Sequence, residues 1–253
     1  QELASYETRP QLDVWRKELI WAWNQALWDA PSKVLARDEP DPHLLLTTQL
    51  APELVGVNQE LILVSAYFVP GETGLVYLTG RADAGVDVRL LTNSLEATDV
   101  PVVHGGYAPY RKALLEHGVK LFELRRQPGS SGGSGPHWFK PGMSSDSSLH
   151  SKAMIFDRQK SFIGSFNFDP RSGLWNTEVG VLVDSPELAA EARKLALQGM
   201  APALSYEPKL EQGKMVWVTE DNGQLHTLHH EPGNWWRRLN AWFSKSVGLE
   251  KML

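Results

Sequence analysis

SLHSKAMIFDRQKSFIGSFNFDPRS, residues 148–172, sets His150, Lys152 and Asp157 at fixed offsets and follows them with Gly164, Ser165 and Asn167. Alternate residues of a strand share a face, so an imidazole and an ammonium two apart project together, with Ser151 turned away. Met154 and Phe156 continue their face, while Ala153, Ile155 and Asp157 lie opposite. Residues 150–157 and 160–167 are thus predicted strands, joined by a short turn at Arg158–Gln159. On the second strand Gly164 permits close backbone approach, Ser165 supplies a hydroxyl and Asn167 an amide donor. Residues 176–184, NTEVGVLVD, are the next predicted strand and carry Glu178.

This mixture fits chemistry on a phosphodiester. Non-bridging oxygens need cations or amide donors, which Lys152, Ser165 and Asn167 provide. Phosphorus needs a nucleophile, and the leaving oxygen needs a proton from a group titrating near neutrality; imidazole serves both. A carboxylate that fixes the imidazole tautomer completes the set, and Glu178 is the candidate. Asp157, on the opposite face, reads as a structural acceptor at the following turn.

Outward from this stretch, apolar runs at 60–68, 86–94 and 119–124 alternate with helical patterns at 71–84 and 104–118. Strand and helix in turn predict an α/β fold, a mixed β-sheet flanked by helices on both faces. Residues 185–200 form a helix with Ser185 as N-cap. Tyr67 and Asn93 follow the ends of the first two strands, where open α/β sheets bind ligands. His104, Tyr107 and Arg111 recur at helical spacing, either as a headgroup-facing row or as a plain surface face. Residues 127–149 are rich in Gly, Ser and Pro and read as a mobile loop. KMVWVTEDNGQLHTL, 214–228, reads as a hairpin turning at Asp-Asn-Gly. At the N-terminus, Leu12, Trp15, Leu19, Trp23 and Leu27 predict a helix over 11–29. The expected division is 1–58 as helical N-terminal segment and linker, 59–200 as the domain with the motif, and 201–253 as a C-terminal hairpin and amphipathic helix.

His150-x-Lys152-x4-Asp157-x6-Gly164-Ser165-x-Asn167 resembles the HKD signature of the phospholipase D superfamily. Phe168-Asp169-Pro170-Arg171-Ser172 and Asn176-Thr177-Glu178 resemble its bacterial cardiolipin synthase branch, in particular the C-terminal half of the C type. Ser65-Ala66-Tyr67-Phe68-Val69-Pro70, Leu91-Thr92-Asn93-Ser94 with Thr98-Asp99, and the WWRR tail carry the likeness across nearly the whole chain. The resemblance implies a phospholipase D-like half-domain and a phosphatidyl transfer through a phosphohistidine. It assigns His150, Lys152, Asp157 and Glu178 to catalysis and Ser165, Asn167, Tyr67 and Asn93 to substrate binding. It implies no cofactor and no metal.

The family's site joins two such motifs, and no second His-x-Lys-x4-Asp occurs; His43, His104, His117, His137, His226, His229 and His230 all lack lysine two residues on. The expected partner is an N-terminal HKD half upstream of Gln1, or a homodimer mate. His150 is then the acid/base. A phospholipid such as phosphatidylglycerol is the expected substrate. Hydrolysis by the same chemistry, an HKD phosphodiesterase or nuclease, and an inactive half-domain with an assembly role are the competing readings.

The net charge of −5 counts against nucleic acid as partner. Cysteine is absent from the sequence, which removes disulfides and thiolate metal sites. No run approaches the ~18 apolar residues of a membrane-spanning helix. Trp235, Trp236, Trp242 and Phe243 with Arg237, Arg238 and Lys245 suit an interfacial helix, and the resemblance implies peripheral attachment at a bacterial inner membrane.

Overall fold

A computed structural model describes residues 19–36, 40–126 and 149–233. The mobile loop expected at 127–149 lies outside them except for Leu149, and so does the C-terminal amphipathic helix. Ten strands form one sheet: β1 Trp23–Trp28, β2 Glu60–Ser65, β3 Asp87–Asn93, β4 Lys120–Leu124, β5 Lys152–Phe156, β6 Lys160–Gly164, β7 Val179–Asp184, β8 Ser205–Glu211, β9 Lys214–Asp221 and β10 Gln224–Leu228. Their order is β1-β7-β6-β5-β2-β3-β4-β8-β9-β10. Pairing is parallel within β2-β3-β4 and antiparallel elsewhere.

β2 is the centre. Its sequence ELILVS is buried along its length, as a strand covered on both faces requires. Parallel neighbours need crossovers: helix α2 (Gly71–Asp83) leads to β3, and α3 (Pro101–Tyr107) with α4 (Arg111–Glu116) leads to β4. The continuous helix predicted over 104–118 is interrupted by a 3-10 turn at Ala108–Tyr110, where Pro109 lacks the N–H that a helix interior uses. Helix α1 (Leu46–Gly56), α2 and α4 cover one face through Leu46, Leu50, Leu78 and Leu114. Helix α6 (Pro186–Gly199) covers part of the other through Ala189 and Ala196. Met154 and Phe156 of β5 enter the first core and Ile155 the second, as their alternation predicts.

Two expectations need correction. Of the helix predicted over 11–29, residues 11–18 lie outside the described residues, and Trp23–Trp28 is instead an edge strand on β7, in which Leu27 alone is buried; Trp21 and Trp23 stand in solvent. Hydrogen bonding to β7, a partner far away in sequence, overrides the local period. The row His104, Tyr107 and Arg111 is also buried. Arg111 pairs with Glu123 at 3.2 Å and with Glu231 at 2.5 Å, and His104 Nε2 lies 2.6 Å from Glu231. This closed charge cluster leaves no cationic face for a headgroup.

Gly164 and Gly180 face each other across β6 and β7: the Phe162 ring leaves no room for a Cβ on Gly180, and the Val179–Gly180 backbone leaves none on Gly164. A Cβ on Gly180 would sit 2.3 Å from two Phe162 ring atoms. Gly180→Ala is therefore expected to lower stability by about 1–3 kcal/mol, read as a drop in denaturant midpoint with unchanged slope.

Candidate active site

The predicted site residues gather along one edge of the sheet, at the C-terminal ends of β2, β3 and β6 and the N-terminal ends of the antiparallel β5 and β7. Tyr67 and Asn93 stand after β2 and within the end of β3, Lys152 at the start of β5 with His150 two residues ahead of that strand, Ser165 and Asn167 after β6, and Glu178 before β7. Antiparallel pairing of β2 with β5 sets Ser65 opposite Lys152 and so brings these ends together.

His150 is exposed while Lys152 is buried. The Lys152 ammonium donates to the His150 carbonyl at 2.7 Å and stands 6.0 Å from the Tyr67 ring centroid. Burial lowers the Lys152 pKa below the usual lysine range, and the negative charges of Glu178, Asp169 and Asp99 pull against that shift. Both residues border one cavity of about 710 Å³, with Ser165, Ile155, Val181 and Leu195 among its walls.

Glu178 is buried and accepts the hydroxyl hydrogen of Ser165, whose oxygen also accepts from the Val179 N–H at 3.0 Å. Among the described residues, no hydrogen bond joins Glu178 to the His150 ring. The Asn167 amide oxygen accepts from the Tyr67 N–H at 3.2 Å. The Tyr67 hydroxyl donates to Asp99 at 2.9 Å, and burial with that carboxylate pushes its pKa up to about 12. Asn93 uses its whole amide inside the protein: its nitrogen donates to the Ala66 and Leu149 carbonyls, and its oxygen accepts from the Leu149 N–H at 2.8 Å. It ties the chain entering β5 to the end of β2, one residue before His150.

Asp157 stands at the far end of β5, about 16 Å from Lys152 at ~3.3 Å per residue. Its carboxylate accepts from the backbone N–H groups of Asn58, Gln59 and Glu60 at 2.7–3.2 Å. The turn itself centres on Asp157 and Arg158, both left-handed with φ of 51° and 62°, one residue earlier than the sequence predicts. That is the turn geometry whose twist matches an antiparallel hairpin. Here the aspartate of the motif anchors the entry to β2 against the β5–β6 turn.

Asp169 joins the site as a group that a reading of motif spacing alone does not single out. Its carboxylate caps helix α5 (Pro170–Leu174), accepting from the Ser172 N–H at 2.7 Å. The Asp-Pro pair is a recognisable helix start. Burial raises its pKa to about 6, and the charge of Glu178 adds to the rise. The sign follows from linkage. A carboxyl raised on folding contributes stability below its unfolded value and loses it as pH climbs through about 6. Asn caps as well as Asp does. Asp169→Asn should therefore melt higher than wild type at pH 8 by on the order of 1–3 kcal/mol, and the gain should vanish towards pH 4. Thermal melts across that range read it directly.

Residues 53–198 match the family model described as cardiolipin synthase, PLD-like domain. The chain belongs to that family. It is 36% identical over 237 residues to cardiolipin synthase C of Escherichia coli K12, covering 93% of this chain and 49% of the relative. To cardiolipin synthase B of the same strain it is 27% identical over 220 residues, 86% of this chain and 48% of the relative. The chain thus spans about half the length of these relatives. In fold it is similar to Nuc of Salmonella typhimurium, a phospholipase D family member, with TM-score 0.53 and 15% identity over 75% of this chain and all of that one. A second fold neighbour is phosphatidylserine synthase of Haemophilus influenzae Rd KW20, with TM-score 0.56 and 14% identity over 90% of this chain and 46% of that one. The cardiolipin synthase family lies within the phospholipase D superfamily of enzymes, as the HKD-like spacing predicts. No helix among the described residues is long and apolar enough to cross a membrane.

Proposed function

We propose that this chain supplies one of two histidine–lysine half-sites of a phosphatidyltransferase of cardiolipin synthase type. The observation that carries the proposal is the sheet edge itself: an exposed imidazole, a buried ammonium and a hydroxyl border one cavity, in a chain with a single motif. Around Lys152 stand Asp99, Asp169 and Glu178. One ammonium among three carboxylates is short of the positive charge that a phosphodiester needs, and a second lysine from another half offsets it.

A surface for that second half adjoins His150. Ile163, Val181 and Ala26 are cross-strand neighbours in sequence of pairing, and Val179 faces Trp28. Ile163, Val179 and Val181 line the open cavity beside α6, and the face stays exposed, Val179 by 57% and Trp28 by 56%. An apolar face of this kind on a chain half as long as its relatives fits docking by the remaining half.

In the proposed reaction the histidine of one half attacks phosphorus of a phosphatidylglycerol. An N–P bond forms, the P–O bond to the headgroup glycerol breaks, and the leaving oxygen takes a proton from the imidazolium of the other half. That imidazole, His150 in this assignment, then removes the proton from the hydroxyl of a second phosphatidylglycerol. Its oxygen attacks phosphorus, releasing the histidine and cardiolipin. Lys152 and the Asn167 amide nitrogen hold the non-bridging oxygens; Ser165 joins them once its hydroxyl leaves Glu178, which is then free to orient the imidazole in the assembled site. The substrate places the protein at a bacterial membrane surface as a peripheral enzyme.

Incubation with phosphatidylglycerol vesicles followed by lipid chromatography tests the proposal. Cardiolipin together with free glycerol is expected of the assembled pair of half-sites, either a homodimer of this chain or this chain joined to its other half. Phosphatidic acid alone would make the chain a hydrolase, and cleavage of a labelled oligonucleotide would make it a nuclease. Sedimentation tells a two-fold dimer from a lone half.

A further inference from the structure

Ahead of the family-matched stretch lies a buried ion pair that the reaction above does not use. Lys33, in the 3-10 helix Pro31–Leu35, is wholly buried. Its ammonium donates to Asp29 Oδ2 at 2.8 Å and to the Ser172 carbonyl at 2.9 Å. Asp29 Oδ2 also accepts from the Glu178 N–H at 2.8 Å, and the Asp29 N–H donates to the Glu178 carbonyl at 2.9 Å. One residue therefore holds Glu178 by both of its backbone groups. Asp29 Oδ1 accepts from the N–H of Leu46 at 2.6 Å, the first residue of α1, whose own N-cap Leu45 has no side chain to offer it.

A buried ion pair is a poor source of stability, because two ions must be desolvated and an apolar pair of similar volume often does as well. What the pair supplies beyond packing is direction. Its hydrogen bonds end on the backbone of Glu178, which takes the Ser165 hydroxyl, and on Ser172, whose N–H is held by Asp169. Both ends of the 172–178 segment are thus fixed from one side by Asp29 and Lys33. We propose that Asp29 and Lys33 are positioning residues, setting where the Glu178 carboxylate and the Asp169–Ser172 turn stand at the histidine–lysine edge. This rests on the reading of that edge as the catalytic site.

The test compares wild type, Asp29→Ala and Asp29→Ala/Lys33→Met. The single variant strands an ammonium in the interior; the double variant removes that unpaired charge and is expected to regain part of the melting temperature, the Leu46 and Glu178 N–H groups still lacking the Asp29 carboxylate. Turnover should not return with it. In the double variant kcat is expected about 10- to 100-fold below wild type with KM within about twofold, since neither residue touches substrate. Amide exchange at Glu178 should be about 100-fold faster while β2 and β3 keep their protection. Turnover is read on phosphatidylglycerol vesicles and on bis(4-nitrophenyl) phosphate. Wild-type inactivity on lipid alone rejects the lipid reading and leaves the positioning test intact on the soluble diester. The exchange measurement needs no activity at all. A kcat that recovers together with the melting temperature, or a Glu178 amide as protected in the double variant as in wild type, overturns the proposal.

Discussion

His150→Ala is expected to remove phosphatidyl transfer, lowering kcat by about 10³-fold or more with the fold intact. The size follows from what the imidazole is asked to do. General acid–base catalysis by a positioned side chain contributes roughly 10²- to 10⁴-fold, and in this half-site His150 both protonates the leaving oxygen and deprotonates the incoming hydroxyl. Fold integrity follows from its position. The ring is exposed, and the bond from Lys152 goes to the His150 backbone carbonyl, which alanine keeps. The variant should melt within a degree or two of wild type and still bind vesicles. Turnover near the wild-type rate would reject the assignment of His150. Loss of the second step alone, with a phosphohistidine accumulating on the partner half, would mark His150 as the base for the acceptor hydroxyl.

Much of this site is legible in the sequence because strand alternation is local. A period of two sends Met154 and Phe156 to one core and Ile155 to the other, whatever the rest of the chain does. The alternation of strand and helix over 60–124 predicts β2, β3 and β4 for the same reason, and Asp-Asn-Gly fixes the β9–β10 turn, where Asn222 and Gly223 take φ of 52° and 77°. What eludes the sequence depends on distant partners. Trp23, Leu27 and their neighbours have helical spacing, and the register with β7 that makes them a strand lies outside any local window. β8 escapes notice because Pro208 and charged residues interrupt it, yet it bridges β4 and β9. The burial of Arg111 requires Glu123 and Glu231, the latter far along the chain. Asp29 and Lys33 do show a local signal, a four-residue charge spacing; the contacts that give it meaning, to Ser172 and Glu178, are again remote.

Lys152→Met should cost at least about 10²-fold in kcat/KM, a loss of ~3 kcal/mol in transition-state stabilisation. Methionine keeps the length of the side chain and removes the charge. The site then retains Asp99, Asp169 and Glu178 around an incoming phosphodiester, so the field there turns repulsive. Lys152→Arg does not repair this. The lysine is buried, and its ammonium sits between the His150 carbonyl and the Tyr67 ring, where a planar guanidinium needs a different and larger space. Wild type should also show an alkaline limb. Burial lowers the pKa of Lys152, so its proton leaves at a lower pH than that of an ordinary lysine, and activity should fall as the ammonium is lost. A bound phosphate opposes that loss, so the limb should lie higher for kcat than for kcat/KM. In Lys152→Met this limb should disappear while the residual rate stays low. An alkaline limb unchanged in the variant would assign it to another group, and a Lys152→Met rate near wild type would show that the phosphate draws its compensating charge from elsewhere.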